Sequence, residues 1–88
     1  MRVIIRFSLN ADRGSVLRNT LRGILEAQGI LWTGRTTGTY EGNVSEQAIR
    51  RALSRFWRTV AQNQTGALID HFWMYADRQP RPRGLDDR

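Results

Sequence analysis

Apolar and polar residues alternate at the start of the chain. The apolar positions of this first run, with a period of two, are Val3, Ile5, Phe7 and Leu9. This period predicts a strand with one strongly apolar face. The spacing then becomes helical, and the apolar positions of the second run are Leu17, Leu21, Ile24 and Leu25. Gly29 follows as a favourable C-terminal stop, so the pattern predicts a strand and then a helix.

The rest of the chain repeats this arrangement with a hairpin between. Residues 30–35 and 37–41 are short runs rich in Thr, Trp and Tyr, which predict two strands of a hairpin. Ser45 is a good N-cap, and the helix predicted after it carries an apolar stripe of Ile49, Ala52, Leu53, Phe56, Trp57 and Val60. Residues 67–76 predict a last strand that contains Phe72, Trp73 and Tyr75.

This order of elements predicts an α+β fold. In a chain of 88 residues it favours a ferredoxin-like βαββαβ sandwich, a four-stranded antiparallel sheet with two helices on one face. We assign this single domain to residues 1–78 and a flexible or partner-ordered tail to residues 79–88, which contain both prolines. The open sheet face should expose Ile4 with either Phe72 or Trp73, and such apolar surface predicts a homodimer.

Composition limits the possible functions, although genomic base composition alone can replace Lys by Arg throughout a chain. All 14 basic residues are arginine, the formal net charge is +6, and cysteine is absent, which excludes disulfides and thiolate metal sites. No apolar run approaches the roughly 20 residues of a membrane span. We therefore expect a cytoplasmic protein that does not enter membranes.

The second predicted helix carries the main candidate site. Arg51, Arg55 and Arg58 stand at i, i+4 and i+7 on one side of it, Arg50 is adjacent, and only Glu46 opposes them. A solvated helix face usually mixes charges, because opposite charges at i, i+4 stabilise a helix and like charges cost about as much. The unbalanced row therefore favours binding of nucleic-acid phosphates, and Arg18 and Arg22 would join it if the two helices lie side by side.

The run Thr39-Tyr40-Glu41-Gly42, the Ser-capped arginine-rich helix after it and the aromatic last strand resemble the CRISPR-associated protein two family. The likeness extends from Met1 to about Arg78. It implies a ferredoxin-like homodimer that handles nucleic acid, on a fold shared with toxin and antitoxin ribonucleases.

The resemblance also shows one departure. Members with nuclease activity have an Asp after an aromatic residue at the end of the first strand, where two protomers meet around a divalent metal. Here Ser8 follows Phe7, and a hydroxyl is a poorer ligand for a hard cation than a carboxylate. We therefore expect weak or absent nuclease activity, unless Asp12 or Glu41 supplies the carboxylate.

Two further functions remain open. One is a metal-dependent endoribonuclease of a toxin–antitoxin system, with Asp12, Glu41 and His71 as catalytic candidates and Asp12 as a ligand for Mg²⁺. Capping of a helix is the favoured role for Asp12, and a structural role is favoured for His71, whose neighbour Asp70 should point to the opposite sheet face. The other function is a protein-interaction module that binds an acidic partner.

Overall fold

The structure, a computed structural model, describes residues 1–34 and 38–78. In chain order the elements are β1 (Arg2–Asn10), a 3-10 turn (Arg13–Ser15), α1 (Val16–Ala27), β2 (Leu31–Trp32), β3 (Thr39–Asn43), α2 (Glu46–Gln62) and β4 (Leu68–Asp77). The four strands form one antiparallel sheet in the order β2-β3-β1-β4. The predicted ferredoxin-like α+β sandwich is confirmed. The predicted tail, residues 79–88, lies outside the described residues.

The core lies between the helices and one face of the sheet. Its buried side chains are Val3, Ile5, Phe7, Leu17, Leu21, Leu25, Ile30, Tyr40, Ile49, Ala52, Phe56 and Ala67. Phe56 of α2 lies at the centre of an aromatic cluster. The centroid of its ring is 5.1 Å from that of Phe7, 5.4 Å from that of Phe72 and 5.0 Å from that of Trp57. Such contacts, edge-to-face or steeply tilted, are favourable between aromatic rings and fix α2 against β1 and β4.

The predicted hairpin strands have different bounds in the structure. The first was predicted over residues 30–35, but β2 ends at Trp32, where the Thr33 backbone N–H donates to the Thr39 carbonyl at 3.0 Å and Gly34 takes a φ of 75°. The second was predicted to break after residue 41, but β3 continues to Asn43. Gly42 permits this extension, since a Cβ there would lie only 2.4 Å from the Gly29 carbonyl oxygen.

The other face of the sheet is not covered by a helix. Trp73 and Tyr75 lie on it opposite Arg6 and Ile4 of β1, and they are 43% and 44% exposed. Phe72 instead packs under α2, which answers the choice that the sequence left open. The two exposed rings stack with centroids 6.4 Å apart, and the Arg6 guanidinium lies 5.3 Å from the Trp73 ring. Leu31 of β2 adds exposed apolar surface to the same face.

The expectation for Asp70 is wrong. A bulge between Ser8 and Leu9 shifts the β1–β4 register, so that Ser8 pairs with His71 and Leu9 with Ile69. Asp70 is the extra residue, and its Oδ2 accepts a hydrogen bond of 3.4 Å from the Ser8 hydroxyl. Simple alternation fails at a bulge because one added residue re-aims the side chain.

Candidate nucleic-acid interface

The sequence sets where α2 begins and which side of it faces the sheet. The Ser45 hydroxyl accepts a hydrogen bond of 3.0 Å from the Ala48 backbone N–H, and Glu46 in the first turn lies near the positive end of the helix dipole. Ile49, Ala52 and Phe56 bury one side of the helix against the sheet. The arginines between them in sequence are therefore turned to solvent.

We call Arg51, Arg55 and Arg58 the α2 arginine row. All three are exposed, and none makes an ion pair or a hydrogen bond through its side chain within residues 1–34 and 38–78. They border a shallow depression of about 320 Å³ together with Gln47, Arg50 and Ser54. The depression offers cationic, amide and hydroxyl donors and has no carboxylate in its lining, so it suits an anion.

Arg50 differs from the row because it is paired. Its Nη2 donates to Oε2 of Glu46 at 2.7 Å, and the Nη2 of Arg78 lies 3.9 Å from Oε1 of the same carboxylate. Glu46 thus compensates charge at the N-terminal end of α2 only. The cationic surface becomes less balanced toward the C-terminal end of the helix.

Arg18 and Arg22 lie apart from this row, although α1 and α2 do pack side by side. Ile24 of α1 borders Arg55 and Arg58, whereas Arg18 and Arg22 lie on another flank of α1 beside the β2–β3 hairpin. At 100° per residue, positions 18 and 22 are turned by roughly 120–160° from position 24. The arginines predicted as one surface therefore form two groups.

The second group lines a pocket of about 220 Å³ that is more enclosed than the depression over α2. We call it the α1 pocket, and its lining residues are Ser15, Arg18, Asn19, Arg22, Trp32, Gly38 and Tyr40. Arg22 is held in place from two sides: its Nε donates to Oε2 of Glu26 at 3.1 Å, and its Cζ lies 4.7 Å from the centroid of Trp32. Cation–π stacking and the i, i+4 ion pair together fix the guanidinium plane.

Tyr40 forms the inner wall of the α1 pocket. It is 1% exposed, and its ring stacks on Phe7 with centroids 5.4 Å apart. Burial raises the pKa of Tyr40, while the charges of Arg22 and Arg18 act in the opposite direction. The hydroxyl therefore stays protonated at neutral pH and lies within electrostatic reach of both guanidinium groups.

The three catalytic candidates are placed on different parts of the fold. The Asp12 carboxylate caps α1, because Oδ1 accepts from the Leu17 backbone N–H at 2.9 Å and Oδ2 from that of Arg18 at 3.0 Å. Glu41 pairs with Arg2 across the open sheet face at 3.1 Å. His71 is exposed on β4 opposite Ser8.

These candidates do not form a cluster. Glu41 pairs with residue 4 of β1 and His71 with residue 8, which separates them by roughly 13 Å along the strand. In the described part of the chain, no group of three His, Cys, Asp or Glu side chains could hold a metal ion. A Mg²⁺ ion at Asp12 would also compete with the two backbone donors that its oxygens accept.

Sequence reasoning missed the α1 pocket as a unit. Trp32 and Tyr40 were predicted only as parts of the hairpin strands, and Arg18 and Arg22 were expected to join the arginines of α2 if the helices lie side by side. The available signal was the predicted hairpin itself, since antiparallel pairing of residues 30–35 with 37–41 places Trp32 beside Tyr40, as observed. The sequence did not indicate which side of α1 lies over Trp32 and Tyr40.

The fold and these surfaces define a ferredoxin-like α+β domain in which, among the described residues, Arg18 and Arg22 lie apart from the α2 arginine row. Comparisons of this chain with protein-family models, with curated proteins and with solved structures find no match. The resemblance to the CRISPR-associated protein two family therefore stays a prediction. Within residues 1–34 and 38–78, neither helix has the length and apolar character needed to cross a membrane.

Proposed function

We propose that this protein binds the phosphate backbone of a nucleic acid through the α2 arginine row. The observation that carries the proposal is that Arg51, Arg55 and Arg58 are exposed and have no carboxylate partner in the described part of the chain. Guanidinium groups bind phosphate through two parallel hydrogen bonds, and unpaired ones need not first break an internal contact.

The dimensions of the row support this proposal. Residues 51 and 58 are separated by roughly 10 Å along the helix axis, at 1.5 Å per residue. One strand of duplex DNA carries a negative charge about every 3.4 Å of axis, so the row spans roughly three phosphate steps. Contacts to phosphates carry no direct sequence information, and we propose binding without sequence specificity.

The second part of the proposal is a homodimer formed through the open sheet face. Its support is the stacked pair Trp73 and Tyr75, together with Leu31, which leave large apolar side chains in solvent on a single chain. A symmetric dimer would bury these residues and leave both α2 arginine rows outward, which doubles the cationic surface. We propose a cytoplasmic location for this activity, because nucleic acids are abundant there.

Catalysis is not part of the proposal. The carboxylate that the resemblance requires is replaced by Ser8, and Asp12 has both oxygens engaged in capping. Binding to an acidic partner protein uses the same arginines, and the experiment below separates it from nucleic-acid binding.

The test is a comparison of two triple variants in a salt series. One changes Arg51, Arg55 and Arg58 to Gln, and the matched control changes Arg2, Arg13 and Arg78 to Gln, which are exposed arginines outside the lining of the depression over α2. Each variant lowers the formal net charge from +6 by three, to +3. A difference between them therefore depends on where the charges lie.

Fluorescence anisotropy with a short duplex DNA and a single-stranded RNA gives the result. If each arginine of the row neutralises one phosphate, the slope of log K against log salt for the duplex should fall by about 2.7 in the first variant and by less in the control. Between about 50 and 200 mM salt, the unmodified protein should therefore lose roughly fortyfold more affinity than the first variant loses. Equal slopes in both variants would refute the row as the site, and no affinity of the unmodified protein at physiological salt would favour the acidic partner.

The dimer is tested by sedimentation equilibrium with Trp73→Ser and Trp57→Ser. These two tryptophans are almost equally exposed, at 43% and 41%, but Trp57 lies on the helix side. We expect twice the mass of a single chain for the unmodified protein and for Trp57→Ser, and a single-chain mass for Trp73→Ser. A monomeric unmodified protein would overturn this part of the proposal.

A further inference from the structure

The α1 pocket is lined by hydrogen-bond donors and has no carboxylate in its wall. Arg18 makes no ion pair with any described residue, and Arg22 uses its Nε for Glu26, which leaves its terminal nitrogens without a hydrogen-bond partner in residues 1–34 and 38–78. Ser15 and Asn19 add a hydroxyl and an amide at the rim. This set of groups favours an anion.

The Tyr40 hydroxyl is a separate observation that points to a ligand. Tyr40 as a whole residue is 1% exposed, and its hydroxyl has no hydrogen bond to any residue of the described ranges. Among those same residues, no fully buried side-chain oxygen lacks a partner. The hydroxyl is therefore not sealed in the core, and Tyr40 contributes to the lining of the α1 pocket.

We propose that the α1 pocket binds the phosphate monoester of a nucleotide, with the phosphate oxygens between Arg18 and the Tyr40 hydroxyl and the attached sugar and base toward Trp32. Arg18 and Arg22 bring two positive charges, one of them offset by Glu26, to a monoester whose charge is about −1.5 to −2 near neutral pH. A volume of about 220 Å³ holds several groups the size of a water molecule. It lies below the range of roughly 300–1,000 Å³ that drug-sized ligands occupy, so the pocket suits the phosphate and part of the attached nucleoside, with the rest of the ligand outside it.

The shape of the pocket favours a terminal phosphate over one inside a strand. An internal phosphodiester has a chain on both sides and suits an open surface, such as the depression over α2. The more enclosed α1 pocket admits a group that ends there. The monoester can belong to a free mononucleotide or to the 5′ end of a nucleic-acid strand, and the strand-end case rests on the proposed function.

The experiment uses two pairs of probes on the full chain. The first pair is adenosine 5′-monophosphate and adenosine, measured by calorimetry. The second is a short single-stranded RNA with a 5′-phosphate and the same RNA with a 5′-hydroxyl, each labelled at the 3′ end and measured by anisotropy. The quantity of interest is the ratio of affinities within each pair.

Two variants remove donors from the pocket. Tyr40→Phe removes the hydroxyl and keeps the ring that stacks on Phe7, and Arg18→Gln acts at the surface of α1 without touching the core. We expect the unmodified protein to prefer the phosphorylated probe by at least about tenfold, and each variant to lower that preference about tenfold, as expected for a lost hydrogen bond to a charged group. Arg18→Gln keeps the test decisive if Tyr40→Phe fails to fold.

The control is the triple Gln variant of the α2 arginine row. It should weaken both RNAs alike and leave their ratio unchanged, since the two sites share no lining residue. A preference for the monophosphate without a preference between RNAs supports a mononucleotide site, and it would do so even if the α2 row binds no nucleic acid. Equal affinities within both pairs, or a preference that survives both pocket variants, would overturn the proposal.

Discussion

Replacing Asp12 separates a structural role from a catalytic one. Its two carboxylate oxygens accept hydrogen bonds from the backbone N–H groups of Leu17 and Arg18, which have no intrahelical partner in the first turn of α1. Asp12→Ala leaves both donors without their cap. The loss of an N-cap side chain costs about 0.5–2 kcal/mol, and two short bonds in a partly buried site place the expected value near 1.5 kcal/mol.

For a domain of this size, a change of 1 kcal/mol shifts Tm by roughly 4–8 °C, so Asp12→Ala should unfold roughly 6–12 °C below the unmodified protein. Asp12→Asn keeps one acceptor oxygen and should lose about half as much. Circular dichroism during heating measures both shifts. The control is Asp77→Ala, an exposed acid whose side chain has no partner in the described part of the chain, and it should stay within about 0.5 kcal/mol.

Two results would refute this reasoning about Asp12. One is an unchanged Tm for Asp12→Ala, which would mean that the cap contributes nothing. The other is a rise in Tm when Mg²⁺ is added to the unmodified protein and no rise in Asp12→Asn, because a ligand stabilises only the state that binds it. That second result would restore Asp12 as a metal ligand and reopen the endoribonuclease function.

Three further changes test the core and the turns. Phe56→Ala should lower the free energy of unfolding by about 3–5 kcal/mol in urea denaturation, because it empties the centre of the aromatic cluster; a loss below about 1 kcal/mol would contradict that position. Gly42→Ala should lower the free energy of unfolding by about 1–3 kcal/mol, because the added Cβ would contact the Gly29 carbonyl. Gly23→Ala, with no atom within 4 Å of the added Cβ, should raise it by about 1 kcal/mol. Equal effects of the two changes would rule out the close approach at Gly42. Burial raises the pKa of Tyr40 above 10.0, so above about pH 10 the folded state keeps a proton that the unfolded state releases. The free energy of unfolding should therefore fall less steeply with pH in Tyr40→Phe than in the unmodified protein. Parallel curves would count against the raised pKa.

The sequence was most informative where a pattern repeats over many residues. The period of β1 and the stripes of α1 and α2 each involve four or more apolar positions, and burial of those positions forces the elements to form. The caps at Ser45 and Gly29 were readable for a similar reason, since their chemistry depends on neighbours in the chain. The exposed arginine row followed directly, because it is the side of α2 that the stripe leaves out.

The candidate site was readable only in part. The composition of the α2 arginine row needed one helix and no knowledge of its surroundings. The grouping of Arg18 and Arg22 with Trp32 and Tyr40 depends on how α1 is rotated over the hairpin, and the α1 sequence alone does not contain that angle. Capping was the favoured role for Asp12 beside those of catalytic residue and metal ligand, and the bonds from Leu17 and Arg18 are those that a cap accepts.

The sequence by itself determined the order of strands and helices, the ferredoxin-like sandwich and the outward arginines of α2, because these follow from periodic burial within single elements. Only the tertiary structure decided that β3 runs on past Gly42, that a bulge turns Asp70 toward Ser8, and that Arg18 and Arg22 lie apart from the α2 arginine row. Each of these depends on contacts between segments distant in the chain, where packing geometry, and not local preference, selects the outcome.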